Sequence, residues 1–253
     1  MFKILVRCSL LILCMANTCA YATIIYDANA TSTFTLIDAD GLLITAEAGP
    51  ELPSTMTSGS GTASIDADMQ SDPALFPGAS LVQSSDVSGS AGPTAGASSA
   101  VSMNSYLIIL ENIDTLDATA VFEFTYEWDV SLTQAPVSDA EFEAGVASAF
   151  FHLSGFAPSG SETLAIDDGS GIMSVSDWLF NPFITFDFDE IVTPGALSGS
   201  TSLLAYVTVP AFSTDSFSVI TDASGSAARI PEPTAVVLFG LAVLLLSRRK
   251  YFN

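Results

Sequence analysis

Between Thr23 and Ala228 the chain has no lysine and no arginine. The 253 residues include 6 basic side chains against 28 acidic ones, for a formal net charge of -22. The bases sit at the ends: Lys3, Arg7, Arg229, Arg248, Arg249 and Lys250. Without a basic surface the body is excluded as a nucleic-acid binder, because phosphates need cations. It also lacks the usual clamp for phosphoryl groups. Salt bridges cannot hold it together. Its acids must face water, accept hydrogen bonds or bind cations.

Other absences narrow the chemistry further. Cys8, Cys14 and Cys19 are the only cysteines, all within the first 22 residues. A body without them has no thiol nucleophile, disulfide or thiolate metal site. His152 is the only histidine, so a three-histidine zinc site is impossible. Beside Phe150, Phe151 and Leu153 it reads as the edge of a core rather than a base. No Gly-x-Ser-x-Gly elbow, His-Glu-x-x-His motif or phosphate loop occurs.

Both ends read as address segments. Residues 1–22 carry basic Lys3 and Arg7, an apolar run through Leu10–Met15, and the small-x-small pattern Ala20-Tyr21-Ala22. That is the layout of a secretory signal peptide cut after Ala22. The apolar stretch is short for a membrane span. At the other end, Pro231-Glu232-Pro233 precedes the apolar run 234–247 and then Arg248, Arg249 and Lys250. A helix over 234–247 would be about 21 Å long at roughly 1.5 Å per residue. That is a short transmembrane helix, and its basic flank predicts a cytoplasmic tail with an exported body. The alternative is a buried terminal helix, which the Arg-Arg-Lys run disfavours.

This C-terminal segment, 230–253, resembles the PEP-CTERM sorting signal of Gram-negative exported proteins. The resemblance rests on the Pro-Glu-Pro tripeptide, the short apolar run and the basic cluster, and extends over only about 24 residues. It implies the secretion machinery and an exosortase-like membrane enzyme as partners, with cleavage near Pro231–Pro233. It further implies an inner-membrane intermediate, then the outer cell surface or an extracellular matrix containing exopolysaccharide. Such signals are carried by many different bodies, so the resemblance leaves the activity of 23–229 open.

The body itself reads as one all-β domain, an antiparallel β-sandwich or jelly roll. Phe122, Phe124, Tyr126, Trp128, Val130 and Leu132 alternate with Glu123, Thr125, Glu127, Asp129 and Ser131. Period two puts the rings on one face and the acids on the other. The rings are expected in the core; the competing reading is an exposed platform for sugars. Tyr106–Leu110, Leu203–Val209, Phe217–Ile220 and the alternation at Ile184, Phe186 and Phe188 supply further strands. Thr33–Ile37, the turn Asp38–Gly41 and Leu42–Ala46 are expected to form a hairpin. Residues 140–153 fit a helix or a strand, with Phe142, Ala144, Val146 and Phe150 sharing the strand face; the strand is preferred. Residues 49–100 are rich in Gly, Ser and Thr and are expected to be largely flexible loops, with short strands near Ala63–Ile65 and Ala79–Gln83.

No catalytic residue is assigned. Glycosidase chemistry needs two placed acids, and Glu123 with Glu127 or Asp187 with Asp189 would share a strand face. A solvated acidic surface is the preferred reading of both pairs. No organic cofactor is implied. Structural calcium is the metal that such acids would take, with candidate turns at Asp38 and Asp40, at Asp66 and Asp68, and at Asp167 and Asp168. None completes an EF-hand. The expected function is an exported surface or matrix protein. A carbohydrate-binding module is the first alternative and a secreted glycoside hydrolase the second.

Overall fold

The computed structural model describes residues 23–69, 75–92, 96–134, 143–155, 163–167, 172–175, 183–191 and 193–229. The signal segment, the sorting motif Pro231-Glu232-Pro233 and the basic run Arg248–Lys250 lie outside them. No helix among the described residues is long and apolar enough to cross a membrane. The described chain is all β. In order, the strands are β1 (Ile24–Asp38), β2 (Leu43–Ala48), β3 (Ser54–Gly59), β4 (Thr62–Met69), β5 (Ser80–Ala91), β6 (Gly96–Glu111) and β7 (Ala118–Gln134). Then come β8 (Glu143–Gly155), β9 (Thr163–Asp167), β10 (Ile172–Val175), β11 (Phe183–Ile191), β12 (Gly195–Val209) and β13 (Thr214–Arg229).

Two antiparallel sheets result. One has the order β10-β9-β12-β7-β1-β5-β4; the other has β11-β8-β13-β6-β2, with β3 also paired to β6. The alternation in β7 sets the interior as the sequence predicts. Phe122, Phe124 and Tyr126 are buried, while Glu123, Glu127 and Asp129 point to water. Rings from the two sheets meet edge to face or stacked: Phe122 with Phe217 at 5.3 Å, Phe34 with Tyr106 at 5.4 Å, and Tyr126 with Phe151 at 5.4 Å between centroids. Such pairs add about 0.5–1.5 kcal/mol each beyond the area they bury.

The interior is not wholly apolar. Ser32, Gln83, Ser85, Asn104 and Thr221 form a polar belt between the sheets. The Ser32 and Thr221 hydroxyls are 2.6 Å apart, and Gln83 donates to Thr221 Oγ1 at 2.8 Å. Ser85 donates to the Thr221 carbonyl and Asn104 to the Ser84 carbonyl. Pairing offsets part of the cost of burying these groups, while Gln83 Oε1 and Asn104 Oδ1 have no partner among the described residues.

Three expectations are corrected. The strands and turn of the first hairpin exist, but β1 and β2 belong to different sheets, so the turn is a corner rather than a hairpin loop. Asp40 and Gly41 both have positive φ, 45° and 83°, and Leu42 donates to the Ala39 carbonyl. Second, the Gly/Ser/Thr-rich residues 49–100 hold β3, β4, β5 and the start of β6 rather than mainly loops, so the short strands expected near Ala63–Ile65 and Ala79–Gln83 are present but longer. Their hydroxyls ladder across strands, Thr62 with Ser90 at 2.8 Å and Ser64 with Ser88 at 2.7 Å. Third, residues 143–155 are a strand, but the odd positions face inward. Ala147, Ala149, Phe151 and Leu153 are buried, and Val146 and Phe150 lie on the outer face.

The small residues have a steric reason. Tyr26 on β1 is fully buried. Gly89, its register partner on β5, and Gly225 on β13 of the opposite sheet both face it. A Cβ at Gly225 would collide with the Tyr26 ring, and one at Gly89 with its hydroxyl end. Gly225→Val is expected to lower unfolding free energy by about 2 kcal/mol or more through overpacking. Ser64→Ala, on the wet face of β4, is expected to stay within about 0.5 kcal/mol. Urea denaturation of both checks the contrast.

Candidate functional site

The two sheets present unlike outer faces. On the seven-stranded sheet the outward positions are hydroxyls, amides and acids. Register places Asp66, Asp86, Asn29, Asp129 and Ser198 in one row across β4, β5, β1, β7 and β12. The next row runs Asp68, Ser84, Thr31, Glu127 and Ser200. Asn29 donates to Asp86 at 3.5 Å, and Thr31 to Asn29 Oδ1 at 3.5 Å. Asp27 lies one row away. Its pKa is raised by partial burial, then by the Asp86 and Asp129 charges. Small Ser198 and Ser200 leave an open groove of about 430 Å³ beside Asn29, Thr31, Glu127 and Asp129.

The rings of β7 lie in the core as expected, and the competing reading, an exposed platform for sugars, is not what this strand offers. Phe122, Phe124 and Tyr126 are core residues. Trp128 is half-buried, stacks on Tyr126 at 5.2 Å and covers Gly199, its register partner on β12. Glu123 and Glu127 do share the wet face. Four residues apart on a strand, their backbones are about 13 Å apart at roughly 3.3 Å per residue. The carboxyl pairs of glycosidases stand about 5–9.5 Å apart. Asp187 and Asp189 lie on β11, after a register shift, and their side chains fall outside the described residues.

The calcium candidates are not brought together. Asp38 accepts a hydrogen bond from the Asp40 amide at 3.2 Å, and Asp40 accepts from the Thr119 amide at 3.2 Å. Each of these carboxylates caps backbone at the corner between sheets. Asp114 and Asp117 lie near the same end: Asn112 Oδ1 accepts from the Asp114 amide, and Asp117 accepts from Ala211. Asp66 and Asp68 belong to β4 rather than a loop. Asp167 ends β9, and Asp168 lies outside the described residues. Among the described residues no group of three or more His, Cys, Asp or Glu side chains is arranged to hold a metal ion.

The six-stranded sheet has a different exterior. Its central strands β6, β13 and β8 turn Val101, Met103, Leu107, Ile220, Val146 and Phe150 outward, interleaved with serines. His152 stacks on Phe150 at 5.6 Å, and burial lowers its pKa. Toward β2, a groove of about 470 Å³ is lined by Glu47, Gly49, Ser105, Leu107, Ser216 and Ser218. Sequence reasoning missed Asp222, which sits in the middle of this face. Its register partners are Met103 on β6 and Phe150 on β8. Its Oδ1 is buried without a hydrogen-bond partner among the described residues. Burial raises its pKa from 3.8 to about 6. The signal in the sequence was an acid interrupting a Ser-rich stretch, and nothing there shows what its neighbours are.

The folded chain therefore holds the Asp222 proton more tightly than the unfolded chain does. Above pH 6 the buried charge is a cost; stability is gained as pH falls from about 6 toward 3.8. The full shift corresponds to about 2–3 kcal/mol. Asp222→Asn is expected to raise stability at pH 7.5 by about 2 kcal/mol and to shrink the gain on acidification to pH 5. Urea denaturation of both chains at the two pH values measures it.

No family model matches the chain, and no curated protein matches it. A solved structure, the secreted serine protease VesC from Vibrio cholerae, aligns at 9% identity over 78% of this chain, with a TM-score of 0.14. The chain spans about 46% of that protein's length. A likeness this slight carries no argument about fold or activity.

Proposed function

We propose that this is an exported, non-enzymatic protein of the cell surface or extracellular matrix of a Gram-negative bacterium, delivered through its C-terminal sorting segment. The observation that carries this reading is the pairing of two end segments: the leader ending at Ala20 and Ala22, and Pro231-Glu232-Pro233 followed by an apolar run and Arg248-Arg249-Lys250. The body is compatible with such a role. Its interior is filled by aromatic and aliphatic side chains, and its acids are spread over one face rather than converging in a cleft. An acidic, hydroxyl-rich face is well hydrated and suits contact with hydrated polymer or with cations bridging it. The exosortase-like enzyme is the proposed processing partner.

Mass analysis of the exported species tests the reading. In cells with the sorting enzyme, the product is expected to lack both residues 1–22 and the basic end. Glu232→Ala, or loss of the enzyme, is expected to leave the C-terminal segment in place and the chain in the inner membrane. An intact C-terminus under every condition would overturn it.

The groove beside Asn29, Thr31, Glu127 and Asp129 favours a second reading, a carbohydrate-binding module. Polyols are held by such mixed amide, hydroxyl and carboxylate sets. Titration with matrix polysaccharide is expected to raise the melting temperature of the wild type but not of Asn29→Ala/Asp129→Ala. An unchanged melting temperature at saturating polymer rules this second reading out.

A further inference from the structure

We propose that the outer face of the six-stranded sheet is a self-association surface, on which two copies of this chain pack face to face around Asp222. This inference is independent of the reading of the chain ends.

Charge selects the occupant and the face. A chain of net charge -22 repels its own copy, so contact is least costly where acids are fewest. The outward face of the seven-stranded sheet carries Asp27, Asp66, Asp68, Asp86, Glu123, Glu127 and Asp129, and two such faces cannot approach. Between their ends, β6, β13 and β8 turn one acid outward, Asp222. Around it stand Val101, Met103, Leu107, Ile220 and Phe150, all half-buried by their own neighbours. Short serines fill the spaces between, and Ser148 and Ser224 hydrogen-bond each other at 2.7 Å.

Area fits a stable dimer. β6 and β13 have 16 residues each and β8 has 13. At about 3.3 Å per residue and 4.8 Å between strands, these three strands cover roughly 700 Å², with Glu47 on β2 and Glu190 on β11 outside that area at its margins. Standard interfaces bury about 800 Å² per partner. A two-fold axis through the middle of β13 brings the row Phe150–Asp222–Met103 of each copy against the other, as an isologous contact requires.

The one central charge makes the contact pH-dependent. Two facing carboxylates, already short of hydrogen-bond partners, oppose a dry interface; two carboxylic acids do not. Asp222 is flanked by Ile220 and Ser224 on its own strand, by Val101, Met103 and Ser105 on β6, and by Ser148, Phe150 and His152 on β8. The titratable group among these is His152, whose lowered pKa keeps it neutral at neutral pH. Glu190, opposite Ser148, is farther out on β11. Association therefore strengthens as pH falls through about 6.

Sedimentation equilibrium of the full chain in a density-matched nonionic detergent tests this. The dimer dissociation constant is expected to fall about tenfold or more between pH 7.5 and pH 5.5, the equivalent of one pKa unit. Asp222→Asn is expected to dimerise at both pH values. Phe150→Glu and Met103→Glu are expected to remain monomeric at both, with thermal melts confirming that they fold. Thr125→Glu, which adds the same charge to the other face, is expected to behave as wild type. A monomer at every pH would overturn the proposal, as would a dimer that survives in folded Phe150→Glu and Met103→Glu.

Discussion

One close contact governs the architecture: a tyrosine ring seated where two glycines leave room. Tyr26 packs between Gly89 of its own sheet and Gly225 of the other. With larger residues at either position the sheets would have to separate there. Ala91, Ala100, Ala147 and Ala227 are buried in the same core. Farther along the strands Phe34, Tyr106, Phe122, Phe124, Phe151 and Phe217 fill the interior with rings. Large and small residues alternate between facing strands, as dense packing demands.

The second constraint is electrostatic. A body with acids and almost no bases cannot neutralise charge by pairing. It spreads seven acids over one outer face and uses others, such as Asp38 and Asp40, to accept backbone amides at a corner. Hydroxyl ladders take the place that ion pairs hold on more conventional sheet surfaces. The exception is Asp222, held among apolar side chains with one oxygen lacking a partner. Buried polar groups left in that state cluster where a surface has a task beyond folding.

Much of the fold was legible where side chains alternate strongly. The Phe122–Leu132 stripe gave β7 its inward and outward sides, and Tyr106–Leu110 gave the middle of the core. The Gly/Ser/Thr segments were not legible, because composition alone cannot distinguish a loop from a strand that packs against a distant ring. The phase of β8 was misread for a related reason. Both its faces are apolar, so period two leaves its orientation undetermined. The first corner was read as a hairpin because turn chemistry is local, whereas the choice of sheet is settled by partners elsewhere. At the level of sites, the aspartate pairs were visible and their separate duties were not. Asp222 drew no notice because its environment is assembled from three strands.

A last consequence concerns β6, whose free side is shared by two short strands instead of one long one. β2 pairs with Tyr106–Glu111 and β3 with Gly96–Val101. Between them Gly49 and Leu52 reach β6 through single hydrogen bonds to Ser105 and Met103, and Pro50 and Pro53 interrupt the run. A broken margin offers no long row of unpaired amides to an incoming strand. A chain with this margin is thereby guarded against edge-on fibril growth at high local concentration.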